Sequence, residues 1–260
     1  MKLLTLNTGG AYIRAQDADP TADESYSHGG RVGIEHVIAV LKSELPDVIV
    51  LQESHTRSAD AQANTIAQAL HMRHVTNAPY DESHIEEGSQ LSLAIISKWP
   101  LSDIRFELFK NPGFRMTHGA REWYCHDKGV LSADVATPSG TIRIATTHLV
   151  PFTLFGKPLD GEEVRAVLAD VDAKLCAHAQ SHTAQRSIVT GDFNLDVDSI
   201  THLLPQVSAL CPEVILPAPT TPKGRRYDRV FARGLTVVGQ PRVLADALTD
   251  HYPAVVEFEG

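Results

Sequence analysis

The chain has 260 residues, of which 43% are hydrophobic and 21% charged, and its formal net charge is -9. That length can bury a sizeable core, and the acidic balance excludes a protein that coats nucleic acid through a broad basic surface. No apolar run reaches the roughly 18 residues of a bilayer span, and the stretch after Met1 is too short for a signal-peptide core. The default expectation is a cytoplasmic protein with no membrane segment and no obligatory protein partner. Cys125, Cys176 and Cys211 form no CxxC pair, so they read as buried or half-buried free thiols of a reducing compartment.

No repeat, low-complexity tract or linker divides the sequence, which reads as a single domain over 1–260. Leu3 to Leu6 is an apolar run ending in Asn7, the pattern of a buried strand. Gly29-Gly30-Arg31-Val32-Gly33 follows no convincing strand and reads as a flexible loop. Ile34, Val37, Ile38, Leu41 and Leu45 recur at helical spacing, and Pro46 closes that helix. Asp47 to Leu51 is a β-branched strand that delivers Gln52 and Glu53 at its end. A second helix is expected around Ala61 to Leu70, and a strand over Leu93 to Ser97, stopped by Trp99-Pro100. Val130 to Ala136 and Thr141 to His148 read as hairpin arms around Thr137-Pro138-Ser139-Gly140. Val164, Val167, Leu168, Val171 and Leu175 repeat the helical stripe. Short strands are expected at Ser187 to Thr190, Tyr227 to Phe231 and Ala254 to Phe258. This mixture indicates an α/β or α+β protein with mixed sheets.

Several of these strands end in a residue able to bind a hard cation or a phosphate: Asn7, Glu53, His148, Asp192 with Asn194, and Asp250 with His251. Apolar strands hold their ends rigidly, so such side chains can meet in one preorganised pocket. Mg²⁺ takes oxygen ligands, commonly one or two carboxylates with waters and substrate phosphate. Glu53, Asp192 and Asp250 supply carboxylates, with Asn7 and Asn194 as neutral partners. Each piece taken alone is a solvated strand end or a tight turn, and His55, after Glu53, reads as a solvated neighbour. Their order and spacing carry the signal. No GxxxxGK[ST] exists, which excludes a P-loop. A calcineurin-like metallophosphatase lacks its opening DxH and the second aspartate of its GDxxD.

Leu4-Thr5-Leu6-Asn7, Val50-Leu51-Gln52-Glu53, Thr147-His148-Leu149, Gly191-Asp192-Phe193-Asn194, Tyr227-Asp228-Arg229-Val230-Phe231 and Thr249-Asp250-His251-Tyr252-Pro253 follow one another along nearly the whole chain. This ordered set resembles the endonuclease/exonuclease/phosphatase superfamily of DNase I-like and exonuclease III-like enzymes. The resemblance implies a four-layer α/β/β/α sandwich of two mixed β-sheets with flanking helices. It implies Mg²⁺ or Mn²⁺ held by Glu53 with Asn7 and Asp250 nearby, and leaves one or two ions open. Asp192 and Asn194 would position or activate the attacking water, His148 would bond a non-bridging phosphate oxygen, and Asp228 would orient His251. Thr249 stands where a serine is common, and the long loop from Thr8 to about His28 is a departure from the family pattern.

The implied reaction is hydrolysis of a phosphoric ester by in-line attack of water, with the base open between Asp192 and His251. Substrate is expected to be set by loops. One, 109–128, carries Arg121 and Trp123 among basic and aromatic residues able to stack on a base or bind phosphate. A second, 150–161, carries Phe152 and Phe155, suited to an apolar group. Lys223-Gly224-Arg225-Arg226 is the most basic stretch. The leading expectation is a phosphodiesterase of nuclease type acting on nucleic acid or a DNA adduct. A small-molecule phosphomonoesterase, for sugar or inositol phosphates, and a sphingomyelinase-like lipid phosphodiesterase are the alternatives, and a non-catalytic binding protein is the distant one.

Overall fold

The computed structural model describes residues 1–22, 26–58, 60–118, 121–180 and 182–259, without the side chains of His28, His118 and Arg121. Two βαβ units form its centre. In the first, the strand Lys2–Asn7 leads to the helix Gly30–Glu44 and returns as Val48–Arg57, parallel to its start. In the second, Gly140–His148 leads through Glu162–His178 to the parallel strand Arg186–Asp192. Each unit heads a larger mixed sheet. The first sheet runs Thr236–Val237, Ala254–Glu259, Lys2–Asn7, Val48–Arg57, Gln90–Ser97, His74–Glu82. The second runs Glu213–Val214, Asp228–Arg233, Arg186–Asp192, Gly140–His148, Gly129–Thr137, Leu101–Leu108.

The period-2 alternation of these strands sorts their side chains into layers. Leu3, Val48, Val50, Leu93 and Ile95 meet Leu131, Val135, Ile142, Ile144 and Ile188 between the sheets. On the other face of the first sheet, Leu4, Leu6, Ile49 and Leu51 pack on Val37, Leu41 and Ile66 of two helices, Gly30–Glu44 and Gln62–Ala69. On the outside of the second, Val130, Val189 and Phe231 pack on Val164, Leu168, Val171 and Leu175. Helix, sheet, sheet and helix therefore stack as four layers. Among the described residues no helix is long and apolar enough to cross a membrane.

The structure corrects several local expectations. The Gly29–Gly33 stretch is no flexible loop: Gly29 is the N-cap and the helix starts at Gly30. The helix packs on the tight turn Gly9–Ala11, with Gly33 buried, so tertiary contact overrides poor propensity. The segment after Thr8 holds a short strand pair, Ile13–Arg14 with Tyr26–His28. Two sheet-edge strands, His74–Glu82 and Leu101–Leu108, were not expected, because partly solvated edges lack an apolar run. Within 109–128, Arg115–His118 and Arg121–Tyr124 form a two-stranded hairpin. The three cysteines are free, Cys125 and Cys211 buried and Cys176 half-buried.

One polar group is sunk into the outer face of the second sheet. Arg143, fully buried, donates through Nε to the His178 carbonyl at 2.9 Å and through Nη2 to Ser132 Oγ at 2.7 Å. Its Nη1 donates to Asp134 Oδ1 at 3.1 Å and the Asp103 carbonyl at 2.7 Å. The guanidinium thereby ties the end of helix Glu162–His178 to the sheet. Removing one member of a buried ion pair leaves the other charge uncompensated. Arg143→Leu should therefore lose about 3–5 kcal/mol in urea unfolding, and Arg143→Leu/Asp134→Leu should lose less than the two single variants summed. Strict additivity would show that the two side chains are not coupled.

Beside them, His178 Nδ1 lies 2.7 Å from Ser132 Oγ. Burial holds this imidazole below its ordinary value, with Glu107 opposing. The unfolded chain therefore takes up the proton first, so stability falls as pH drops below about 6.5. The urea midpoint should decline from about pH 7.5 to about pH 5, and less steeply in His178→Gln. Equal slopes would remove His178 as the cause.

Candidate active site

The site lies where both parallel strand pairs end. Asn7, last residue of its strand, is in register with Gln52 across the first sheet. On the second sheet His148, Asp192 and Asp228 form one row on three neighbouring strands. Asn7 Nδ2 crosses between the sheets to Asp192 Oδ2 at 2.9 Å, and its Oδ1 accepts the Gly9 N–H at 3.0 Å. The carboxamide is thus fixed at both ends.

Three backbone features aim the remaining groups. The pairing of Val48–Arg57 with Gln90–Ser97 slips between Leu51 and Ser54, and Glu53 in that bulge has φ 49°. Left-handed backbone is costly for a residue with a Cβ, and such outliers cluster at functional sites. Asn194 has φ 50°, with its N–H donating to Asp192 Oδ1 at 2.8 Å. Between them, Gly191 has φ +140°, and a Cβ there would stand 2.1 Å from the Thr147 carbonyl oxygen, so no other residue fits. Gly9 meets the same limit, since its Cβ would lie 2.9 Å from Asp250 Oδ1.

Asn7, Glu53, His148, Asp192, Asn194, Asp250 and His251 all line one pocket of about 640 Å³. Asp228 stands behind, its Oδ2 2.8 Å from His251 Nδ1. His251 Nε2 then faces Asp192 Oδ2 at 3.7 Å, and His148 Nε2 reaches the same oxygen at 3.5 Å. Asn194 Nδ2 lies 3.2 Å from His148 Nε2, and the Tyr80 hydroxyl 3.1 Å from Nδ1.

Charge is distributed unevenly over these groups. Burial alone would lower His251, but Asp228 and Asp192 outweigh it and hold the imidazole well above its ordinary value. Burial pushes Asp192 up to about 6 and raises Asp250 as well, against the pull of His251. Burial and the neighbouring Lys128 push His148 far down, which keeps that ring neutral. Burial would raise Glu53 too, yet surrounding cationic groups hold it down at about 2. Those groups are His148, His84, Lys128 and His251, and Lys128 Nζ lies 3.9 Å from Glu53 Oε1.

The donors suit a hard divalent cation. Among the described residues Asp250 Oδ1 is buried without a hydrogen-bond partner, and the Glu53 carboxylate faces the same pocket. Oxygen donors of this kind are what Mg²⁺ takes. Among the described residues no three acidic, histidine or cysteine side chains are already gathered at ligating distance.

The rim differs from expectation in places. Trp123 and Arg225 line the pocket, the latter tethered by Nη1 to Asp196 Oδ2 at 2.7 Å. Arg226, its neighbour, lines a separate cleft with Glu213 and donates to the Leu216 carbonyl at 3.1 Å. Arg121 opens a hairpin strand, but its side chain lies outside the described residues. Phe152 is fully buried in the outer core, and Leu154 and Phe155 reach the pocket instead. His55 is buried rather than solvated, because the strand continues inward past the bulge, with Nε2 2.8 Å from Ser83 Oγ and Nδ1 3.2 Å from Glu86 Oε2. Lys128, Tyr80 and His84 belong to the site and were missed. Lys128 had one signal, a cation directly before the apolar strand Gly129–Thr137.

Solved structures share this architecture. An endonuclease/exonuclease/phosphatase from Beutenbergia cavernae DSM 12333 aligns over 100% of this chain and 71% of its own, with TM-score 0.73 and 17% identity. The 3' phosphatase NExo from Neisseria, bound to product DNA hairpin, covers 100% of both chains at TM-score 0.61 and 16% identity. An AP endonuclease from Archaeoglobus fulgidus does so at 0.62 and 17%. No curated protein matches in sequence. The profile of the Endonuclease/Exonuclease/phosphatase family does match, from residue 4 to residue 251, and the chain belongs to that family, whose members are hydrolases of phosphoester bonds.

Proposed function

We propose that the protein is a divalent-metal-dependent phosphodiesterase of nuclease type, acting on nucleic acid or a DNA adduct. The observation that carries the reading is the convergence of Asn7, Glu53, His148, Asp192, Asn194, Asp250 and His251 on one pocket, with Asp228 behind His251. Glu53 and Asp250, with Asn7 beside them, would hold Mg²⁺ or Mn²⁺, which supplies Lewis-acid neutralisation of the phosphate oxygens. Family members are generally divalent-metal dependent.

The chain's own groups carry the remaining steps. Asp228 occupies His251 Nδ1, so Nε2 is the face turned to the reaction, opposite Asp192 Oδ2. A water beside those two atoms gives its proton to Asp192 and attacks phosphorus in line; the opposite phosphorus–oxygen bond breaks, and the departing oxygen takes a proton from solvent. Asn194, His148 and His251 donate to the non-bridging oxygens, whose charge grows as the bond forms. The donors are held by strand ends and hydrogen bonds before substrate arrives, so little reorganisation is required.

For the substrate, the pocket wall of Trp123, Tyr124, His84 and His126 favours a base beside the phosphate. His84 lies 5.1 Å from His126 and 6.2 Å from Trp123, centroid to centroid, and Tyr124 lies 4.8 Å from His126. Such surfaces stack on any base. Arg225 and Lys223 add positive charge at the same pocket in a chain that is acidic overall.

Hydrolysis of bis(p-nitrophenyl) phosphate and p-nitrophenyl phosphate with Mg²⁺, Mn²⁺ or EDTA tests the reading. Diester turnover that needs the metal and falls about a hundredfold or more in Glu53→Ala, with an unchanged circular dichroism spectrum, is expected. Preference for the monoester would replace the diesterase with a phosphatase, and turnover surviving in EDTA would remove the metal. Asp228→Asn should lower kcat about tenfold or more with little change in KM, because the imidazole loses the partner that orients it. An unchanged kcat would show that the Asp228–His251 pair is structural.

A further inference from the structure

Lys128 sits in an unusual place for a lysine. It is 5% exposed, at the start of the strand Gly129–Thr137, and its side chain reaches the floor of the pocket. A buried ammonium carries three N–H donors and is costly unless oxygen acceptors satisfy them. Among the described residues, the hydrogen-bonding partners of Nζ are only the His148 ring nitrogens, each at 3.1 Å. The nearest ion-pair oxygen, Glu53 Oε1, is 3.9 Å away, beyond hydrogen-bond reach. The Tyr80 ring centroid lies 5.5 Å from Nζ and closes one side. Packed against an imidazole and a phenol ring, the ammonium has spare donors and lines the pocket.

A carboxylate counter-ion would be expected to meet this ammonium at about 2.7–2.9 Å. The longer separation from Glu53 leaves both groups free for a third party. His148 and Asn194 point into the same volume, so an anion held by them lies within the reach of Nζ. A tetrahedral phosphate presents several acceptor oxygens and matches a cluster of donors that arrive from different strands.

We propose that Lys128 is a substrate-binding residue of this pocket, its ammonium donating to a non-bridging oxygen of the substrate phosphate on the His148 side. The assignment rests on the phosphoester-hydrolase reading for the identity of that anion. It gives the acidic pocket a fixed cation that belongs to the chain and offsets phosphate charge beside Glu53 and Asp192. Phosphate affinity therefore has a component that Asn194 and His148 cannot supply.

Inorganic phosphate titrated calorimetrically into the wild-type chain, Lys128→Met and Lys128→Arg, at constant Mg²⁺, tests the proposal. Circular dichroism and a thermal melt check each fold, with Lys128→Gln replacing Lys128→Met if the latter does not fold. The wild-type chain should bind phosphate about ten- to a hundredfold more tightly than Lys128→Met, the usual range for a hydrogen bond to a charged group. Lys128→Arg should bind more tightly than Lys128→Met. Equal affinity in the wild-type chain and Lys128→Met overturns the proposal, as does a wild-type chain that binds no phosphate. A lysine acting only by positioning Glu53 or His148 would change kcat on bis(p-nitrophenyl) phosphate and leave phosphate affinity unmoved, which also overturns it. The two claims separate cleanly. Wild-type turnover with equal phosphate affinities removes Lys128 alone, whereas Lys128-dependent phosphate binding without turnover of any ester supports Lys128 and removes hydrolysis.

Discussion

Between the two sheets, polarity rises in steps toward one end of the strands. Leu3, Val50, Ile144 and Ile188 fill the middle with apolar contact. One pleat further on, Gln52 Nε2 crosses from the first sheet to Thr146 Oγ1 at 2.8 Å and lies 3.4 Å from Thr5 Oγ1. One pleat beyond that come Asn7, His148 and Asp192, joined across the seam by the Asn7–Asp192 bond. A charge placed directly on the apolar layer would be stranded in low dielectric. The neutral Thr5–Gln52–Thr146 layer separates hydrocarbon from ions, and above it Asp192 meets Asn7 and His148 while Glu53 faces Lys128. Register in both sheets depends on this ordering, because a slip of one residue would turn Asp192 and His148 into the outer core.

The same ordering explains what was legible in the amino-acid sequence. Central strands are covered on both faces, so they read as apolar runs, and their polar last residues stand out because they break those runs. Asn7, His148 and Asp192 end their strands and Glu53 sits in a bulge, so these residues became candidates together, through their order and spacing, and both crossover helices through their 3.6-residue period. His74–Glu82 and Leu101–Leu108 carry mixed burial at sheet edges, where no pattern is imposed. The helix start at Gly30 was hidden for a different reason, since what stabilises it is a turn some twenty residues earlier in sequence.

Side-chain direction beyond the strand ends was less legible. Arg225 and Arg226 are neighbours in a basic stretch, yet one joins the pocket and the other a separate cleft. Phe152 and Phe155 divide likewise between outer core and pocket. In both cases the local sequence specifies two similar residues, and the path of the loop decides which one faces the site. Tyr80 belongs to the site only because an edge strand of the first sheet passes over His148 on the second. Nothing local to Tyr80 announces that contact.

Strain and charge concentrate where the layers open. Glu53 and Asn194 hold left-handed backbone without being glycine, and Asp228 Oδ1 and Asp250 Oδ1 are buried with no partner among the described residues. A fold selected for stability alone would replace such groups, since costs of about 1–3 kcal/mol each are large against the net stability of a domain. Three apolar cores and a hydrogen-bonded seam offset those costs and keep the groups from relaxing toward one another. The left-handed residues turn their side chains out of the alternation that would otherwise bury or expose them, and so bring donors and acceptors from opposite sheets to the same few ångströms. The irregularities at Glu53, Gly191 and Asn194 therefore follow from a physical requirement: two regular sheets meet along a line, and only local departures from regularity converge on a point.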